Sequence, residues 1–121
     1  MNKGQKKYLS VNERSAYHRL EDVIGCKWSA GVVAAIGEGV RRPGELERYI
    51  PGISKKILNE RLRKLLDFGI IEREDIPDTV PHVEYSLTPT GDKLHDILRR
   101  IHELGLAHAR KNPDQIPTEN A

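Results

Sequence analysis

The sequence predicts a mainly α-helical domain that carries one β-hairpin. Three observations lead there. A short helix over about residues 44–49 and a longer one from Ser54 to about Phe68 are separated by Ile50-Pro51-Gly52-Ile53. Neither helix can cross that turn, because Pro51 has no donor N–H and Gly52 has no side chain to restrict its backbone. After Gly69 the pattern changes from helical to alternating: Ile70, Ile71 and Ile76 flank one run, and Val83, Tyr85 and Leu87 alternate along another. Residues 75–82 lie between the two runs, contain Pro77 and Pro81, and read as the hairpin loop. A long amphipathic helix then follows Thr88-Pro89. Two helices about a tight turn, continued by a hairpin, make a winged helix-turn-helix.

The 121 residues with 37% hydrophobic side chains fit one domain with a modest core. Residues 1–11 are expected to form a flexible basic arm, 12–110 the winged helix with dimerisation helices, and 111–121 a disordered tail. A net charge of +2 is too small to imply a nucleic-acid partner, so its distribution matters more. Residues 1–11 carry three lysines and no acid, while 71–88 hold five acids against one arginine. The lysine-rich start reads as a disordered end, with an arm that reaches DNA as the alternative. The longest apolar run, residues 31–37, is far too short for a membrane span, and no signal-type apolar region follows the basic start. One cysteine allows neither an intrachain disulfide nor a cysteine-based metal set. A cytoplasmic protein is expected.

The first helix runs from Asn12 or Glu13 to Ile24 and is expected to bury Ala16, Tyr17, Leu20, Val23 and Ile24. Gly25 stands where a left-handed residue would end it. The next begins near Lys27 and reaches Ile36 or Gly37, with Trp28, Val32, Val33 and Ile36 as its buried set. Gly37 and Gly39 stop it. The basic turn Val40-Arg41-Arg42-Pro43 follows, where Arg41 and Arg42 are candidate phosphate contacts.

The helix from Ser54 is where ligand contact is expected. Ser54 caps it. Ile57, Leu58, Leu62, Leu65 and Leu66 fall within one apolar arc. Lys56, Asn59, Glu60, Arg63 and Asp67 fall on the other side, and Ser54 and Lys55 project from the first turn. Five cations against two anions give the helix a charge of +3. Such a helix presents cations and free amides to phosphate, although a solvated basic face has the same composition. Arg61 lies inside the apolar arc, so its stem is expected to pack and its head to pair with a carboxylate, Glu45 or Glu47.

Thr88 caps the last helix with Pro89 at its first position. Leu94, Ile97, Leu98, Ile101, Leu104 and Gly105 recur at three- and four-residue spacing to about Ala109. That stripe outruns the hairpin it would cover, which points to a second copy of the chain.

Ile50-Pro51-Gly52-Ile53-Ser54, with Lys56, Leu58, Arg61-Leu62 and Leu65, then Gly69-Ile70-Ile71-Glu72-Arg73, resembles the core signature of HxlR-type transcriptional regulators. Lys27-Trp28, Glu45-Leu46, and Val83-Glu84-Tyr85-Ser86-Leu87-Thr88 with Gly91 and Leu94 resemble its other blocks in the same order. The resemblance covers roughly residues 20–104. It implies a dimeric DNA-binding winged helix of MarR-like architecture, dimer contacts through the first and last helices, and a pseudo-palindromic double-stranded operator. The chain departs from the pattern at several points. Pro43 replaces an aromatic residue after Arg42. His82 replaces the arginine usual before Val-Glu-Tyr, in a hairpin made acidic by Glu74, Asp75 and Asp78. The tryptophan that often ends the last helix is missing. Redox-sensing members carry a cysteine in or before the first helix, and this chain has none there. Its Cys26 stands where the family usually has glycine. Beside Lys27 and a helix start it is either a thiol with lowered pKa and a possible redox role, or a small side chain at a helix junction.

The expected DNA contacts are therefore Ser54, Lys55, Lys56, Asn59, Arg63, Arg41, Arg42 and His82. The expected dimer contacts are Tyr17, Leu20, Leu94, Ile97, Leu98, Ile101 and Leu104. The five histidines show no metal-ligand spacing, carboxylate pairs such as Glu21-Asp22 fit solvated faces, and there is no phosphate loop or nucleophile motif. No enzyme, metal or cofactor is expected, and the sequence names no small-molecule effector. The competing function is a winged helix that docks protein, which would expose apolar residues of the Ser54 helix in place of Lys56, Asn59 and Arg63.

Overall fold

The computed structural model describes residues 8–25 and 27–111, apart from the side chains of residues 20, 24 and 109–111. The expectations for the basic arm, Cys26, the Leu20 and Ile24 side chains and the tail beyond residue 111 lie outside the described residues. The elements follow in the order α1 (Val11–Ile24), α2 (Ser29–Gly37), α3 (Pro43–Tyr49), α4 (Lys55–Asp67), β1 (Ile71–Ile76), β2 (His82–Leu87) and α5 (Pro89–Lys111). The winged helix predicted from sequence is the observed fold: mostly helical, with one two-stranded antiparallel hairpin.

Capping fixes three of the helix starts. Ser10 and Glu13 form a reciprocal pair, Glu13 N–H donating to Ser10 Oγ at 3.1 Å and Ser10 N–H to Glu13 Oε1 at 2.9 Å. This box starts α1 at Val11, slightly earlier than the apolar pattern alone suggests. Ser54 Oγ accepts from Ile57 N–H at 3.1 Å, as expected. Thr88 Oγ1 accepts from Gly91 N–H at 3.0 Å and donates toward the carbonyls of Gly69 and Ile70. One threonine thus pins the start of α5 to the end of α4.

The corner between α1 and α2 differs from the sequence expectation. Gly25 is right-handed at φ −78, its N–H closing on the Glu21 carbonyl at 2.8 Å. The left-handed residue is Trp28, at φ 79, so α2 begins only at Ser29. A bulky side chain in that region costs about 1–2 kcal/mol, offset here by packing. The half-buried indole packs against the core and lies against Gly52 in the helix-turn-helix turn, while Lys27 Nζ stands 5.3 Å from the ring centroid. Arg61 also anchors this corner. Its Nε donates to the Lys27 carbonyl at 2.8 Å, which corrects the expected pairing with Glu45 or Glu47. The corner interrupts the helical hydrogen-bond ladder and leaves that carbonyl available.

Helix α2 occupies the middle of the molecule, packed against α1, α3, α4, β2 and α5. Its Val32 and Val33, with Leu46, Leu58, Leu62 and Leu65 of its neighbours, are fully buried, each contributing about 1.5–3 kcal/mol by burial. Of the residues expected to be buried by α1, only Val23 is buried among those described; Ala16 is half-buried and Tyr17 is 55% exposed. Helix α1 therefore leans on the domain along one edge. In α5 the apolar stripe divides. Leu94 and Leu98 pack against the domain's own core. Ile97, Ile101 and Leu104 remain 51%, 54% and 70% exposed.

The hairpin ladder runs from Ile71↔Leu87 to Ile76↔His82. Only residues 77–81 are left as loop, because pairing persists until the prolines withdraw their donors. Tyr85 N–H also donates to the Arg41 carbonyl at 2.8 Å, tying the α2–α3 turn to the free edge of β2.

Candidate nucleic-acid interface

The candidate surface starts from α4, whose two faces separate cleanly. Leu58, Leu62 and Leu65 are buried, while Ser54, Lys55, Lys56, Asn59 and Arg63 are all exposed. The fold thus brings these five predicted residues together on one solvent-facing surface, with Glu60 and Asp67 exposed on the same helix. Gly52 (φ 89) turns the chain into α4 and Gly69 (φ 72) takes it out, both in the left-handed region where a Cβ is disfavoured.

Arg41 and Arg42 sit beside the hairpin, next to β2. Arg41 is bound to β2 through its carbonyl. Arg42 Nε lies 3.9 Å from Glu84 Oε2, so part of its charge is met within the protein. His82 is engaged more fully. Its Nδ1 is 3.0 Å from the Val80 carbonyl oxygen and its Nε2 is 3.0 Å from Glu84 Oε2. Sequence placed His82 among the DNA contacts, but both ring nitrogens are used inside the hairpin.

That geometry raises the His82 pKa above its ordinary 6.5, first through the Val80 carbonyl and then through the Glu84 carboxylate. A raised folded-state pKa stabilises the protein fully below the ordinary value, and the contribution is lost as pH climbs through the raised one. The His82 ring protons, followed by NMR, should therefore titrate above 6.5. Glu84→Gln should move the midpoint only part of the way back, because the Val80 contact remains. A midpoint at or below the ordinary value would contradict the arrangement.

Sequence reading missed Arg73. The β1 register sets it opposite Tyr85, on the hairpin face that carries the buried side chains. There it lines an open cleft of about 530 Å³ together with Asn59, Arg63, Asp67 and Tyr85. The alternation Ile71, Arg73, Asp75 against Leu87, Tyr85, Val83 was the available signal. Read only as the end of the family signature and as one arginine among five acids, Arg73 is easily passed over.

Among the described residues no group of three histidine, cysteine, aspartate or glutamate side chains is placed to hold a metal. No helix among them is long and apolar enough to cross a membrane.

Residues 23–113 match the family model described as HxlR-like helix-turn-helix. An HTH-type transcriptional regulator of Synechocystis sp. is 43% identical over 84 residues, which are 69% of this chain and 62% of that relative. The chain therefore spans under two thirds of that relative's length. The HTH-type transcriptional regulator YvaP of Bacillus subtilis is 35% identical over 85 residues, 70% of this chain and 79% of its own. A crystal structure from Enterococcus faecalis V583, described as a MarR-family transcriptional regulator, superposes with a TM-score of 0.72 at 29% identity, covering 90% of this chain and 99% of that one. Fold, basic helix and relatives together define a winged helix-turn-helix transcriptional regulator. The chain belongs to the HxlR-like helix-turn-helix family.

Proposed function

We propose that the protein acts as a homodimer on a pseudo-palindromic duplex, with the two α4 helices in successive major grooves and residues 12–110 as the working unit. The observation that carries this reading is the joint exposure of Lys56, Asn59 and Arg63 opposite buried leucines. A helix of this kind reads base edges from its N-terminal residues, where Lys56 and Asn59 stand, and Arg63 follows Asn59 one turn later on the same face. Asn59 pairs in bidentate fashion with adenine, and Arg63 or Lys56 with guanine or phosphate. Ser54, Lys55, Arg41 and Arg42 contribute sequence-independent contacts to the backbone. The protein-docking alternative calls for exposed apolar side chains on α4, and of its four leucines Leu58, Leu62 and Leu65 are buried and Leu66 is half-buried.

The dimer contact in this reading comes from Ile97, Ile101 and Leu104 of α5, with Tyr17 of α1. All four are large apolar side chains at least half exposed on the single chain, and such patches mark interaction sites. Leu94 and Leu98 support the seam from behind.

Hydroxyl-radical footprinting on the DNA upstream of the protein's own gene tests the arrangement. Two protected patches are expected, centred about 34–36 Å or a multiple of it apart, with two chains bound per duplex. One isolated patch with one chain bound would contradict it.

A further inference from the structure

We infer that Arg73 and Arg63 form a two-walled clamp on a DNA phosphodiester, an inference that rests on the DNA-reading function above. In a duplex the major and minor grooves are separated by a sugar–phosphate backbone. A hairpin that reaches the adjacent minor groove from a helix seated in the major groove has one backbone strand between itself and the helix. The space between α4 and the hairpin is an open cleft lined by Arg63 on the helix and Arg73 on β1. Its walls therefore set two arginines, one from each element, beside the position of that strand. Guanidinium suits the task because its fork can meet two oxygens of one phosphate.

Of the remaining neighbours, Asp67 is a carboxylate on the helix wall, against which the two arginines leave the lining with a net positive charge, and Asp75 and Tyr85 fit a site that exchanges partners. Arg73 Nη2 sits 3.2 Å from Asp75 Oδ1, in a pair whose side chains are 51% and 80% exposed. A solvated pair of this kind holds its partners weakly, so a phosphate oxygen can replace the carboxylate without leaving a buried charge behind. Tyr85, mostly buried and directly opposite Arg73 in the ladder, gives the arginine stem a fixed wall to lie against. The clamp also gives the hairpin a contact with DNA that does not depend on its acidic outer face, where Glu72, Glu74 and Glu84 stand.

The test compares wild type, Arg73→Ala and Arg73→Lys on a specific and a random duplex across salt concentrations. A parallel set of specific duplexes carries single methylphosphonate replacements along the backbone flanking one half-site. Arg73→Ala should weaken both duplexes alike and lower the salt slope by about 0.9, making its loss between 50 and 200 mM salt about 3.5-fold smaller than wild type's. Arg73→Lys should keep the slope. One neutral replacement should weaken wild type more than Arg73→Ala, in which Arg63 alone still meets that phosphate, a coupling that a merely structural role for Arg73 does not produce. If Arg73→Ala keeps the wild-type slope and the wild-type replacement profile, while wild type still prefers the specific duplex, the clamp is overturned and the DNA-reading function stands. If wild type binds neither duplex, both are overturned.

Discussion

Gly91→Ala should lower the melting temperature by roughly 12–24 °C, which corresponds to about 3 kcal/mol in a domain of this size. A Cβ at position 91 would overlap the carbonyl oxygen of Ile70 and come within 3.3 Å of Leu87 Cβ. The obstacle is backbone, and that backbone is held in place: Ile70 O accepts the Thr88 N–H at 3.0 Å, at the point where α4, the hairpin and α5 meet. Relief must come from separating α5 from that junction, at the upper end of what overpacking costs. Gly31→Ala is the internal comparison. Nothing lies within 4 Å of a Cβ built there, so the gain in helix propensity should stabilise by about 0.5–1 kcal/mol. Thermal melts of the two variants should move in opposite directions, and parallel shifts would contradict the packing described.

Ile101→Asp should convert the dimer into a folded monomer. Light scattering should fall from twice 13.7 kDa to 13.7 kDa. Ile101 is 54% exposed on the single chain, so a carboxylate there disturbs the fold little, yet a close seam would bury two of them unpaired. Linked half-sites strengthen binding by about 10²–10⁴ through effective concentration, so affinity for the specific duplex should fall by a factor in that range. A wild-type protein that is already monomeric, or a variant that stays dimeric, would rule out the α5 seam.

The parts of the fold legible in the sequence are those governed by local rules. The α4 amphipathicity, the Ser54 and Thr88 caps and the Pro51-Gly52 turn each depend on residues a few positions apart, and the structure holds them where the pattern puts them. What the sequence hid depends on distant partners. Trp28 adopts a left-handed backbone because its ring finds the core and Gly52, which no local propensity reports. Arg61 reaches a carbonyl 34 residues earlier. Tyr17 fits an apolar helix face, but that face extends beyond the domain to which α1 is attached. The site divides in the same way. Five of its residues share one helix, whereas Arg73 joins them only once the hairpin folds back beside α4. His82 follows the family's position but not its chemistry, because imidazole is short enough to bond within the strand to Glu84.

The central claim is that the α4 surface reads DNA. It is tested most directly by titrating wild type and the Lys56/Asn59/Arg63 triple-alanine variant on the upstream duplex and on random DNA, at one fixed salt concentration. Wild type should prefer the upstream duplex by about 10³ or more, and the triple variant should lose that preference while keeping the wild-type melting temperature. Equal affinity of wild type for the two duplexes, with no loss in the triple variant, would contradict it.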